Sequence, residues 1–292
     1  MKLKITGYST ALFSTWYFIE ELGLLFDAGE GVTTGILQKS RKIKNVLVSH
    51  ADRDHLTGLL QLNQLNARQG FPIIHYPKDC GSFPALEEFS KKFDPHVRGT
   101  LWNPITESSI VKIKDDMYVE AIKNGHVQAD NAVAKSLSYK VIQTKKKLKQ
   151  EFKHLSGKEI KNLIDKIGND KVTTEVRNTL IGYSGDTPVE DYDRWNNTNI
   201  LIHEATFLEN ENQRDLNPRG NSHSTLEEVM EMVSQIQIEK LILGHFSSRY
   251  SSEQIDRSIK ELCDRYAINI PIYRILPGKI SRDILNSQPI NK

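Results

Sequence analysis

Val46-Leu47-Val48-Ser49-His50-Ala51-Asp52-Arg53-Asp54-His55-Leu56-Thr57-Gly58-Leu59 places four His and Asp side chains within six residues, directly after an apolar β-branched run. The run predicts a strand over 45–49, and the amphipathic pattern behind it predicts a helix over 56–68. The strand would carry the four side chains to its C-terminal edge, and the helix start would hold their loop. Imidazole nitrogens and carboxylate oxygens are ligands of zinc, iron and manganese. One Asp-His pair here would be an ordinary loop with an Asp near a helix cap. His-x-Asp-x-Asp-His in this setting points to metal chemistry.

A closed site needs about four ligands per metal, so the rest must come from distant segments. Four later segments repeat the same arrangement of a short apolar strand ending on a His or Asp. They are Asn124-Gly125-His126, Tyr183-Ser184-Gly185-Asp186-Thr187, Ile200-Leu201-Ile202-His203-Glu204-Ala205-Thr206 and Lys240-Leu241-Ile242-Leu243-Gly244-His245-Phe246. Functional groups gather at the carboxyl ends of strands in layered α/β proteins, so the recurrence itself predicts a shared site.

These segments resemble the metallo-β-lactamase superfamily, and within it the ribonuclease Z branch. The superfamily pattern of His-x-His-x-Asp-His, a lone His, a lone Asp and a final His is met by His50, Asp54 and His55, then His126, Asp186 and His245. Phe26-Asp27-Ala28-Gly29-Glu30-Gly31, His203-Glu204-Ala205-Thr206, His223-Ser224-Thr225 and His245-Phe246-Ser247-Ser248-Arg249-Tyr250 are similar to segments of that branch. The likeness covers about residues 3 to 280. It departs in three places. Asp52 stands where the second His of the first motif is usual. The loop over 7–15 lacks a Pro-Thr-x-x-Arg-like segment. The long Gly/Pro-rich arm that grips the transfer-RNA body is replaced by a proline-free, charged stretch over 145–177.

The resemblance implies two divalent metal ions, zinc first, with manganese or iron as alternatives because Asp52 hardens the site. It implies His50, Asp52, His126 and Asp186 around the first ion, and Asp54, His55, Asp186 and His245 around the second. Asp186 would bridge, since a carboxylate has two oxygens to share. Asp54 would also orient or deprotonate the attacking water. Glu204 and His223 fall where the branch places its leaving-group chemistry, and His is the natural proton donor near neutral pH. His203 reads as a hydrogen-bonding residue behind the ligands. Arg249 is a candidate for binding a phosphate oxygen.

The implied activity is metal-assisted phosphodiester hydrolysis, with the 3′ trailer of precursor tRNA as the first substrate. A small or cyclic nucleotide is the second, because the tRNA-gripping parts look reduced. A non-catalytic metal-bearing binder of nucleic acid or nucleotide is the alternative of another class. Members of this branch are commonly dimers, so a homodimer is an expectation that the resemblance alone carries.

Composition agrees. The chain has 292 residues, 38% hydrophobic and 26% charged, which suits a single globular unit with a real core. Its two cysteines, Cys80 and Cys263, argue against a disulfide framework. No hydrophobic run is long enough for a membrane span or signal peptide, so the expected location is the cytoplasm, with no membrane partner. The net charge of +2 says little. Residues 145–177, however, hold ten Lys/Arg against five Asp/Glu, an excess of five that would attract a polyanion.

Strands are predicted at 3–6, 15–20, 24–26, 45–49, 73–76, 110–114, 118–123, 136–142, 179–183, 200–202, 240–243 and 272–275, with a hairpin turn at Asp115-Asp116. Helices are predicted at 56–68, 85–92, 158–167, 225–236 and 252–263, the fourth capped by Ser222 or Ser224. Two mixed sheets packed face to face with outer helices account for this pattern. That is the α/β fold class the resemblance implies, an αββα four-layer sandwich read as one domain over 1–292 with an insertion at about 145–177.

Overall fold

Strands buried on both faces read as apolar runs, yet their side chains still alternate between two environments. The segment Ser14–Ile19 shows this: Trp16 and Phe18 enter one buried cluster while Tyr17 and Ile19 enter another. The computed structural model, which describes residues 2–209 and 222–292, turns this alternation into layers. The first sheet contains β1 (Ile5–Thr10), β2 (Ser14–Ile19), β3 (Leu24–Phe26), β4 (Asn45–Leu47), β5 (Ile73–Pro77) and β6 (Leu101–Ile105), side by side in chain order. The second contains β7 (Ile110–Lys114), β8 (Met117–Lys123), β9 (Leu137–Leu148), β10 (Thr173–Tyr183), β11 (Thr198–Glu204), β12 (Ile238–Gly244) and β13 (Ile272–Arg274), in the order β13 to β7. Each sheet is mixed, with an antiparallel part and a parallel part.

The central core lies between the sheets and joins Tyr17, Ile19 and Phe26 of the first to Tyr139, Ile181, Ile202 and Ile242 of the second. Outside the first sheet, α1 (Val32–Ile36), α3 (Leu59–Asn66) and α4 (Ser82–Phe93) bury Val32, Ile36, Leu59, Leu62 and Phe83 against Trp16, Phe18, Val46 and Ile74. Outside the second, α7 (Leu226–Gln235) and α8 (Ser252–Arg265) bury Leu226, Val229, Val233, Ile255 and Ile259 against Leu201, Leu241 and Leu243. Each such fully buried side chain contributes roughly 1.5–3 kcal/mol. The result is the expected αββα sandwich. Among the described residues, no helix is long and apolar enough to cross a membrane.

Three local expectations are corrected. The helix predicted over 56–68 is two pieces, α2 (Arg53–Leu56) and α3, because Gly58 donates its N–H to the Ala28 carbonyl (2.8 Å) and leaves the helical ladder. The cap of α7 is Thr225, whose hydroxyl and backbone form a capping box with Glu228, and neither Ser222 nor Ser224 takes that role. The strands predicted to stop at Ile142 and start at Thr179 both run further. Beyond Gln143, β9 no longer pairs with β8, and Thr144 to Leu148 pair only with Thr173 to Arg177 of β10. A two-stranded ribbon therefore leaves the sheet, and α5 (Gly157–Ile167) and α6 (Asn169–Val172) sit at its end.

Gly58 also permits a close crossing. A Cβ there would lie 2.1 Å from the Gly29 carbonyl oxygen, backbone against backbone, with no flexible side chain to yield. Gly58→Ala is expected to destabilise the protein by about 1–3 kcal/mol, and chemical denaturation with an unchanged m-value would measure it. A loss below about 0.5 kcal/mol would show that the crossing relaxes freely.

Candidate metal centre and active site

The carboxyl ends of β4, β8, β10, β11 and β12 meet at one edge of the sandwich and bring His50, His126, Asp186, Glu204 and His245 together. The first loop is tied down from both sides. Leu137 N–H donates to the Ser49 carbonyl (2.8 Å), and the Tyr139 hydroxyl donates to the Val48 carbonyl (2.6 Å). Ala28 N–H donates to the His55 carbonyl (2.8 Å). Gly185, at φ 58°, turns the chain so that Asp186 enters the pocket. His245 itself has φ 61°, an uncommon backbone state that clusters at functional sites.

Four imidazoles are held in the same way. His50 Nδ1 lies 2.9 Å from Ser49 Oγ, which donates its own proton to Asp27. His55 Nδ1 donates to Asp27 Oδ2 (2.8 Å), and His126 Nδ1 to the Ser222 carbonyl (2.9 Å). His245 Nδ1 donates to Thr206 Oγ1 (2.8 Å), whose hydroxyl donates in turn to Glu204. Each ring has its Nδ1 engaged by the protein and its Nε2 turned to the centre; as a metal ligand it would keep the Nδ1 proton and offer the Nε2 lone pair. This tautomer pattern suits metal ligation, where the partner of the other nitrogen fixes ring orientation.

The spacing of the presented atoms fits a metal better than it fits hydrogen bonds. Asp52 Oδ2 is 3.6 Å from both His50 Nε2 and His126 Nε2. Asp54 Oδ2 is 3.5 Å from His55 Nε2 and 3.4 Å from His245 Nε2. Asp186 Oδ2 is 3.2 Å from His55 Nε2, 3.3 Å from His245 Nε2 and 3.7 Å from His50 Nε2. Ligands about 2.0–2.1 Å from a tetrahedral ion are roughly 3.4 Å apart. Among the described residues, His50 Nε2 and His126 Nε2 are buried with no hydrogen-bond partner, which is costly unless something else binds them.

Electrostatics agree. Burial would raise the Asp186 carboxyl, but His245 and His55 hold it well below the usual carboxylate range. Burial also opposes the charge on Asp54, and the same two imidazoles overcome it. The His126 and His50 imidazoles, each 3.6 Å from its Oδ2, hold Asp52 low against the pull of burial. Burial pushes His50 down, helped by His55 and His126, so its neutral, ligating form is favoured. Carboxylates kept ionised in a largely buried cluster call for positive charge, and Asp186, Asp54 and Asp27 accordingly raise His55 well above its ordinary value against the pull of burial.

Beside this cluster, His223 Nδ1 donates to Glu204 Oε1 (3.1 Å) and lies 3.9 Å from Asp186 Oδ2. Glu204 also accepts from Thr187 N–H (2.6 Å) and from the Thr206 hydroxyl. Burial would lower the His223 pKa, but Glu204 outweighs it and lifts the imidazole to about 9, so the protein groups alone keep the ring charged at neutral pH. The ring stacks on His245 with centroids 5.5 Å apart.

Two residues named from the sequence lie apart from the cluster. His203 donates Nδ1–H to the Glu204 carbonyl (2.7 Å) and faces Trp195 edge-on. Arg249 is exposed, bonds Ser247 Oγ (3.1 Å) and sits over the rings of Phe207 and Tyr250. Sequence reading gave no role to Asp27, the buried carboxylate behind His50 and His55, nor to Thr206. The signals for Asp27 were its place at the end of the apolar run Leu24-Leu25-Phe26 and in the segment Phe26-Asp27-Ala28-Gly29-Glu30-Gly31, neither of which assigns it a partner.

No protein-family model matches the chain. Ribonuclease Z of Bacillus cereus (strain G9842) is 29% identical over 266 residues, covering 83% of this chain and 85% of that protein. The tRNase Z TRZ1 of Arabidopsis thaliana is 28% identical over 272 residues, covering 88% and 90%. Among solved structures, the metallo-β-lactamase fold protein YhfI of Bacillus subtilis superposes with a TM-score of 0.62 at 13% identity, covering 96% of this chain and 99% of that one. This chain is a metallo-β-lactamase-fold protein, similar over most of its length to ribonuclease Z.

Proposed function

We propose that the chain is a metal-dependent endoribonuclease of ribonuclease Z type that removes 3′ trailers from precursor tRNA. The observation that carries the reading is the placement of Asp186 Oδ2 within 3.2–3.7 Å of three imidazole nitrogens, with Asp52 and Asp54 on either side. His50, Asp52, His126 and Asp186 would hold one ion, and Asp54, His55, Asp186 and His245 would hold the other. Two such ions would stabilise negative charge on the phosphoryl oxygens and acidify a water. Asp54 would orient the attacking water and accept its proton. Glu204 keeps the His223 imidazolium pointed at the leaving oxygen, to which His223 gives the Nε2 proton. Arg249 holds a phosphate oxygen of the RNA at the rim.

The ribbon of β9 and β10 supports a polyanionic substrate. Lys145, Lys146 and Lys147 are all exposed on β9 where it has left the sheet, and Lys145 and Lys147 share one face of the strand. RNA binding through this ribbon would weaken steeply with salt. The ribbon stands in for the Gly/Pro-rich arm that the sequence lacks.

Zinc- or manganese-loaded protein is expected to cut a precursor tRNA just after the discriminator base, with loss of cutting in a chelator. Failure to cut, from protein shown to hold two metals per chain, would exclude the tRNA reading. Asp27→Asn is expected to weaken zinc binding about 10–100-fold, because it replaces the acceptor that fixes His55 with an amide that must also face the Ser49 and Tyr183 donors. Competition against a chromophoric chelator reads the affinity. Unchanged affinity would make Asp27 a folding residue only.

A further inference from the structure

At the rim of the pocket, the turn between β1 and β2 carries two large apolar side chains in solvent. Leu12 is 89% exposed and Phe13 is 60% exposed. Their turn belongs to the site. Leu12 N–H donates to Asp54 Oδ2 (3.1 Å), and Ala11 N–H donates to the carbonyl of Phe246, the residue after His245 (3.3 Å).

The backbone makes this choice of residues informative. Phe13 N–H closes the turn on the Thr10 carbonyl (3.1 Å), and within it only Leu12 has positive φ, at 69°. That is a type II turn, whose third position favours glycine. Glycine would relieve the strain and keep the N–H bond to Asp54. A leucine there costs folding free energy and recovers almost none by burial. Phe13 likewise makes none of the aromatic ring contacts found among the described residues. Leu12 is almost bare and Phe13 exposes more than half of its surface, so the turn presents apolar area beside Asp54 that the fold leaves open to what binds there.

We propose that Leu12 and Phe13 form an apolar platform that packs on the nucleobase adjacent to the scissile phosphodiester. The inference rests on the phosphodiesterase reading above and adds what that reading lacks, the part of the site that recognises a base. Packing on a π-face tolerates any base, so the platform selects for a nucleobase without selecting its identity. It binds substrate and performs no proton transfer.

The test compares two chromogenic p-nitrophenyl phosphodiesters, one of thymidine and one of the abasic deoxyribose, on wild type, Phe13→Ser and Leu12→Gly. Wild type is expected to favour the thymidine ester roughly ten-fold in kcat/KM, chiefly through KM. Phe13→Ser should lose most of that preference. Leu12→Gly should lose part of it while its Tm stays level or rises, a combination that a structural role would not produce. The same preference for the base in wild type and Phe13→Ser would overturn the proposal, as would a wild type indifferent to the base. If metal-loaded wild type hydrolyses neither ester, the phosphodiesterase reading fails and this inference fails with it.

Discussion

His223→Ala is expected to lower turnover on RNA by about 10²- to 10⁴-fold, the usual yield of a positioned general acid, while both metals stay bound. The separation follows from where the ring sits. Its Nδ1 is engaged by Glu204 at 3.1 Å, and Glu204 is braced by Thr187 N–H and the Thr206 hydroxyl. The imidazolium thus carries its second proton on Nε2, the one a ribose oxygen would take as it leaves. The control is the leaving group. An aryl oxide departs without protonation, so the same variant should lose far less on a p-nitrophenyl phosphodiester than on RNA. Elemental analysis of the purified variant supplies the other readout. Equal losses on both substrates, or a drop in metal content, would make His223 a ligand or a structural residue instead of the acid.

The contrast between His223 and Asp27 shows what a sequence makes legible. The candidate ligands could be placed together because their segments follow short apolar strands, and strand ends of a layered α/β fold converge. Asp27 also ends such a strand, yet its role depends on three partners from 22 to 156 residues away, Ser49, His55 and Tyr183. Nothing local marks a carboxylate that acts through another side chain. The break between α2 and α3 was hidden for a related reason, since Gly58 leaves the helix only because the Gly29 backbone crosses it closely. The ribbon of β9 and β10 was missed because Lys145-Lys146-Lys147 and Thr173-Thr174-Glu175 show no apolar alternation. A strand pair outside any core has no buried face to write a period of two into its sequence. What sequence conveys best here is burial and the polar groups placed at its edges. What it conveys least is tertiary hydrogen bonding and structure held by backbone pairing alone.

Asp186→Ala is expected to abolish activity, by at least about 10⁴-fold, and to do so through metal loss. Asp186 Oδ2 lies within 3.7 Å of three of the four presented nitrogens, so its removal would take a ligand from both proposed ions at once. It also leaves His50, His55 and His245 around a buried cavity whose cations have lost a shared counter-charge. Zinc should therefore cease to stabilise the variant. At one hundred times its dissociation constant a ligand adds about 2.7 kcal/mol to stability, a rise in Tm of several degrees for wild type that Asp186→Ala should not show. Asp52→His provides the opposing case. It restores imidazole to a position where carboxylate hardens the site, so it should keep or raise zinc affinity. The pair discriminates between a shared ligand and a replaceable one. If Asp186→Ala still binds two zinc ions per chain, the bridging assignment is wrong. If Asp52→His loses both metal and turnover, then Asp52 serves the site through its charge, and an oxygen-preferring ion such as manganese becomes the better fit.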